Sequence, residues 1–254
     1  MNNDNRRLRP VLAAMEIRSQ YGIRNEEAID LYQVMDNLNI RYREARMEKG
    51  ILGACKAFGL QRLIVVSPDI GYSARKNFTI AHEIGHLMMH QGKHNCDEDM
   101  LNERQAKNRI EIEANEFASE LILPRKIVRD ELRIAEPTIM LAERLQKKYN
   151  SSLTSTLISM VKNTDDETAL IYHDGKNIEW KICSDELKLQ IETYVPESVV
   201  VQQAKYERKP VTGIVDTEEW FKGTNIETYI CQENTIYFPV LNRFATILNL
   251  QLND

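Results

Sequence analysis

Residues 78–90 read FTIAHEIGHLMMH, with three histidines and a glutamate recurring at helical spacing in an otherwise apolar run. On a helical wheel Phe78, Ala81, Ile84, Gly85 and Met88 take one side, leaving His82, Glu83, His86 and His90 on the other. Any fold that accepts this helix must cover the first side and find partners for the second. Histidines four apart differ by about 40° around the axis and one turn along it, so His82 and His86 can aim ring nitrogens at one point. That is the geometry a Zn²⁺ ion needs. In H-E-x-x-H sites the glutamate is not a ligand but takes a proton from the metal-bound water, whose pKa the metal lowers toward about 7. Glu83 therefore reads as the base. Gly85 costs about 1 kcal/mol relative to alanine in a helix interior, which implies that another helix approaches closely there. The bland alternative is a buried helix whose histidines are hydrogen-bonded core residues.

A third donor has to come from elsewhere. His90 stands eight residues past His82, about 12 Å along the axis, too far for zinc–nitrogen bonds of about 2.1 Å. The metzincin pattern H-E-x-x-H-x-x-G-x-x-H fails because Met89 and Gly92 occupy its glycine and histidine positions. His94 falls in the following loop. The downstream segment KNRIEIEANEFASELILP has an apolar stripe of Ile110, Ala114, Phe117, Ala118 and Leu121. Glu113 and Glu120 lie along one flank of it and Glu111 along the other. Spacing alone does not choose between Glu113 and Glu120.

The remaining pattern is mixed. Helices are expected over 8–21 and over 25–38, the second capped by Asn25. The segments NIRYREA, ILGACKAF and QRLIVVSP read as strands, followed by the histidine helix over 73–90 and a polar connector, QGKHNCDEDMLNERQ. Pro124 ends the second long helix. Three short helices fill 125–163, the last two resembling a helix-turn-helix. Beyond 164, ALIYHDGKNIEWKI reads as a hairpin about Asp174-Gly175, with His173 on its surface, and TYICQENTIYFPV as a strand pair.

With 254 residues, 43% of them hydrophobic, the chain can bury an ordinary core, as one large domain or a main domain plus a smaller one. A net charge of −5 gives no general attraction to nucleic acid or anionic membrane. Arg144, Lys147 and Lys148 read as a solvated face, so direct DNA contact is not expected. No apolar run reaches the roughly 18 residues that span a bilayer, and the N-terminal apolar stretch is too short for a signal sequence. A cytoplasmic protein with reduced thiols is expected, since the four cysteines form no CxxC pair.

FTIAHEIGHLMMH followed by EIEANEFASELILP resembles the ImmA/IrrE family of metallo-endopeptidases. The matching blocks are R/K-x-F-T-x-A-H-E-x-G-H-x-x-x-H, here Lys76 to His90, and E-A-N-x-F-A-x-E-L-L-x-P, here Glu113 to Pro124. The similarity covers roughly residues 20–165. It implies a zincin-like (gluzincin-like) metallopeptidase core; with the residue pattern above, the expected fold is α+β, that mainly helical core with a small β-sheet, a helix-turn-helix-like segment, and a smaller β-rich C-terminal domain. The expected boundaries are 1–134, 135–164 and 165–254, the last a sensor or partner-binding domain. The resemblance makes Glu113 the third ligand beside His82 and His86, with Glu83 as base and one Zn²⁺ per chain; such sites also accept Mn²⁺ or Fe²⁺. An edge strand beside the active-site helix would align the peptide, with Leu63, Ile64, Val65 and Val66 the candidate. Tyr72, His90 and His94 are candidates for oxyanion stabilisation or support of the ligands. The implied substrate is a helix-turn-helix transcriptional repressor, whose cleavage switches on stress-response or mobile-element genes. The alternative is a non-proteolytic regulatory protein that binds a repressor or ligand and has a structural metal site.

Overall fold

The computed structural model describes residues 9–48, 50–71, 73–90, 93–97 and 108–253, without the side chains of 93–97. The fold is mixed α+β, a helical core followed by a β-rich C-terminal part. It divides into two compact units, one of residues 1–127 with 146–152 and one of 128–145 with 153–254. The helical segment expected over 135–164 is thus shared between them. No helix among the described residues is long and apolar enough to cross a membrane.

The first unit opens with α1 (Arg9–Gln20) and α2 (Leu31–Asn37). The second helix starts six residues later than its expected cap at Asn25. Buried Arg18 explains the delay, because its Nη2 donates to the carbonyls of Arg24 and Glu27, both at 2.6 Å. Those carbonyls are withdrawn from a helical ladder, and Asp30 caps instead, accepting from the amides of Tyr32 and Gln33. Three strands follow, β1 (Ile40–Glu44), β2 (Ile51–Phe58) and β3 (Gln61–Val66), then α3 (Ser73–Met89), β4 (Lys93–Asp97) and α4 (Arg109–Ile122). The strand β4 lies inside the segment expected to be a plain polar connector. The sheet order is β1-β3-β2-β4, with β1 parallel to β3 and the other pairs antiparallel. This corrects one expectation. Leu63, Ile64, Val65 and Val66 lie in a central strand whose two edges are already paired, so they offer no ladder to a peptide; among the described strands the edges are β1 and β4.

The helix α3 packs on α4 and on β2. Gly85 makes the helix contact close: a Cβ there would stand 2.9 Å from Cδ1 of Phe117. The face carrying His82, Glu83 and His86 is as buried as the apolar side, whereas Met88, expected in the core, is 39% exposed. Helices α5 (Arg125–Leu132), α6 (Ile139–Tyr149) and α7 (Leu153–Asn163) complete the helical part.

The second unit is built on a five-stranded antiparallel sheet. Its strands are β5 (Glu167–His173), β6 (Ile178–Cys183), β8 (Val211–Val215), β10 (Tyr229–Phe238) and β11 (Arg243–Leu252), in the order β6-β5-β11-β10-β8. The short strands β7 (Gln190–Ile191) and β9 (Phe221–Lys222) pair separately, and α8 (Val199–Glu207) packs on β10 and β8. The Asp174-Gly175 turn is as expected, with Asp174 Oδ1 accepting from the amides of Lys176 and Asn177 and Gly175 at φ +95°. TYICQENTIYFPV, expected as two strands, holds a single strand, β10, over Tyr229–Phe238. Its central polar pair needs no turn, because Glu233 is held by Ser198, Trp220 and Thr235 and Asn234 accepts from the Ile139 amide. His173, expected at the surface, is fully buried and stacks on Phe244 at 5.0 Å.

Candidate metal centre

The helices α3 and α4 bring three ligand atoms together. His82 Nε2 and His86 Nε2 are 2.9 Å apart, and Glu111 Oε2 lies 3.1 Å from the first and 3.2 Å from the second. Donors about 2.1 Å from a tetrahedral zinc ion stand about 3.4 Å from one another, so this triangle is close to the size required. All three residues are buried. Burial pushes the Glu111 carboxyl up, whereas hydrogen bonding and charge from His82 and His86, whenever a ring proton sits on the facing Nε2, hold the group well below the usual carboxylate range. It is therefore available as an anion.

The outer ring nitrogens decide what the inner ones carry. His82 Nδ1 is 2.8 Å from Asn115 Oδ1, and His86 Nδ1 is 3.0 Å from His90 Nδ1. An imidazole that donates from Nδ1 keeps a lone pair on Nε2. Two such lone pairs and a carboxylate oxygen then meet with no proton between them, and a bound cation relieves the repulsion. The set fits a divalent metal.

Glu113, the ligand expected by position, is directed elsewhere. Its Oε2 is 3.2 Å from His90 Nε2, and its Oε1 accepts from Arg109 Nε at 2.8 Å. The two acids straddle the seam between α3 and α4, and the flank that reaches both His82 and His86 is that of Glu111. A sequence signal for this existed. Glu111 and Asn115 are one helical turn apart and serve the two nitrogens of a single imidazole, a pairing Glu113 lacks. Glu120 is also buried and accepts from the Arg125 amide at 3.3 Å.

Glu83 sits beside the ligands on α3, fully buried. A Cβ at Gly53 of β2 would come within 2.6 Å of both Glu83 Oε1 and Thr79 Cγ2. The carboxylate thus occupies the space that a side chain at 53 would fill. Tyr72 lies outside the described residues, and so does the side chain of His94, although β4 sets residue 94 opposite Cys55 in register.

A peptidase-family model described as the IrrE N-terminal-like domain matches residues 35–158, which include every residue of the triangle and Glu83. Residues 35–158 form an ImmA/IrrE-family peptidase domain. No curated protein matches it. Among solved structures, a Mycobacterium tuberculosis transcriptional regulator is similar with a TM-score of 0.57 and 14% identity, over 94% of this chain and 74% of its own. At that identity the likeness concerns the fold alone.

Proposed function

We infer that the chain is a metallo-endopeptidase, with zinc as its metal, and that it hydrolyses a peptide bond in a specific protein. The observation that carries this reading is the convergence of His82, His86 and Glu111 with Glu83 adjacent on the same helix. Three protein ligands leave one position for water and substrate, as catalytic rather than structural zinc sites do. An ion held by His82, His86 and Glu111 would supply Lewis acidity and lower the pKa of a bound water to about 7. Glu83 takes the proton from the attacking water and returns it to the amine as the C–N bond breaks. Gly53 keeps the Glu83 carboxylate where it stands, and Asn115 orients His82.

The substrate class follows from the family resemblance: a helix-turn-helix repressor in the cytoplasm, cut to release its genes. The test is co-expression of the full chain with a small helix-turn-helix repressor encoded beside it. The wild-type chain should hold about one zinc and cleave the repressor, while Glu83→Gln keeps the zinc and leaves the repressor intact. Cleavage by the Gln variant would remove Glu83 from the mechanism. Derepression without cleavage would favour the non-proteolytic alternative.

A further inference from the structure

The ligand triangle leaves over a third histidine on α3 and a second glutamate on α4. They are in contact with it. His86 Nδ1 meets His90 Nδ1 at 3.0 Å, His90 Nε2 meets Glu113 Oε2 at 3.2 Å, and Arg109 Nε donates to Glu113 Oε1 at 2.8 Å. The proton positions follow from the metal end. If His86 presents Nε2 to an ion, its proton is on Nδ1 and is donated to His90 Nδ1. A neutral imidazole that accepts at Nδ1 carries its own proton on Nε2, and Glu113 accepts that one. Every atom in the row then has one role and no two donors face each other. The His90 and Glu113 side chains are only 6% and 12% exposed, so water competes little for these bonds.

We propose that His90 and Glu113 are positioning residues, which lock His86 in the tautomer and ring orientation that present Nε2 to the metal, as Asn115 does for His82. This rests on the metal reading given above. It accounts for a buried glutamate two residues from Glu111 that does not reach the ligand triangle. Arg109, 60% exposed, adds orientation more than strength. Partners of this kind change metal affinity by about 10- to 100-fold when removed.

The measurement is the zinc dissociation constant of the full chain by chelator competition, with the visible spectrum of the Co²⁺-substituted protein and the unfolding curve of the metal-free protein alongside. His90→Phe keeps a planar ring but neither hydrogen bond; zinc affinity should fall about 10- to 100-fold and the Co²⁺ bands should shift, with metal-free stability close to wild type. His90→Gln retains an acceptor and a donor and should recover most of the affinity. Wild-type affinity and spectrum in His90→Phe would overturn the proposal. Should His90→Phe fail to fold, Glu113→Ala decides: about tenfold weaker zinc is expected, and an unchanged constant would overturn it. A wild-type chain that takes up no zinc would instead sink the metal reading itself.

Discussion

Among the described residues, two buried networks of histidine and acid, one in each unit, differ in where their hydrogen bonds end. In the second unit His173 Nδ1 accepts from the Gly175 amide, and Nε2 donates to Thr246 Oγ1 at 2.9 Å. Thr246 and Thr235 share a bond of 2.8 Å, and Thr235 donates to Glu233 Oε1 at 2.9 Å. Ser198 Oγ and Trp220 Nε1 close the chain on Glu233 Oε2 at 2.7 and 2.8 Å. Each donor in this row has an acceptor, and nothing further is needed. In the first unit the donors point outward, to Asn115 and His90, and three acceptors point inward to one place. A buried histidine therefore says little by itself. The direction of its protons separates a structural network from a ligand set.

The two networks should respond differently to substitution. Glu83→Gln should lower kcat by about 10²- to 10⁴-fold while unfolding and zinc content stay near wild type, as read by steady-state cleavage and metal analysis. Gly53→Ala should act the same way more weakly. Its methyl group would stand 2.6 Å from Glu83 Oε1, and displacing a catalytic group by an ångström costs about 100-fold in rate. Normal activity in Gly53→Ala would break the claim that this glycine seats the base.

The second-unit network should show itself in stability instead. Burial pushes the His173 imidazole down to about 4 from 6.5. The unfolded chain then binds a proton that the folded one refuses, so the stabilisation is complete above 6.5 and is lost as pH falls toward 4. From pH 7 to 5 the loss from this residue is about 2 kcal/mol. Urea unfolding of His173→Gln should lack that acid-dependent part, and an equal pH slope in the variant would count against the neutral buried imidazole. The smallest effect is expected at Gly85→Ala. The new Cβ meets Phe117 Cδ1 at 2.9 Å, an overpacking cost of about 1–3 kcal/mol against the gain of about 1 kcal/mol in helix propensity. Thermal unfolding should show a small net destabilisation.

Much of this was legible in the sequence because it depends on local spacing. The His82–His86 pair, the glutamate between them, the close helix at Gly85 and the strands preceding α3 follow from periodicity within a short window. What was missed depends on contacts between distant segments. Glu111 and Glu113 are both flank residues of α4, and which flank faces the histidines is set by how α4 seats on α3. The central position of β3 was hidden because its parallel partner β1 precedes it by a strand. His173 looked exposed because a hairpin turn follows it, yet Phe244, Thr246 and Trp220 arrive from later segments of the chain to cover it. Likewise EN in the middle of β10 resembles a turn until its side-chain partners are known.

The even spacing of His82, His86 and His90 along α3 also bears on how such chains are compared. One residue inserted between 86 and 90 would leave H-E-x-x-H unbroken yet swing position 90 by about 100°, away from Glu113. A pattern search on five letters would score that chain as intact. A stricter template joins the histidine triplet to the alternating Glu111, Glu113 and Asn115, so that a gap on either helix is penalised where it would loosen the grip on the ion.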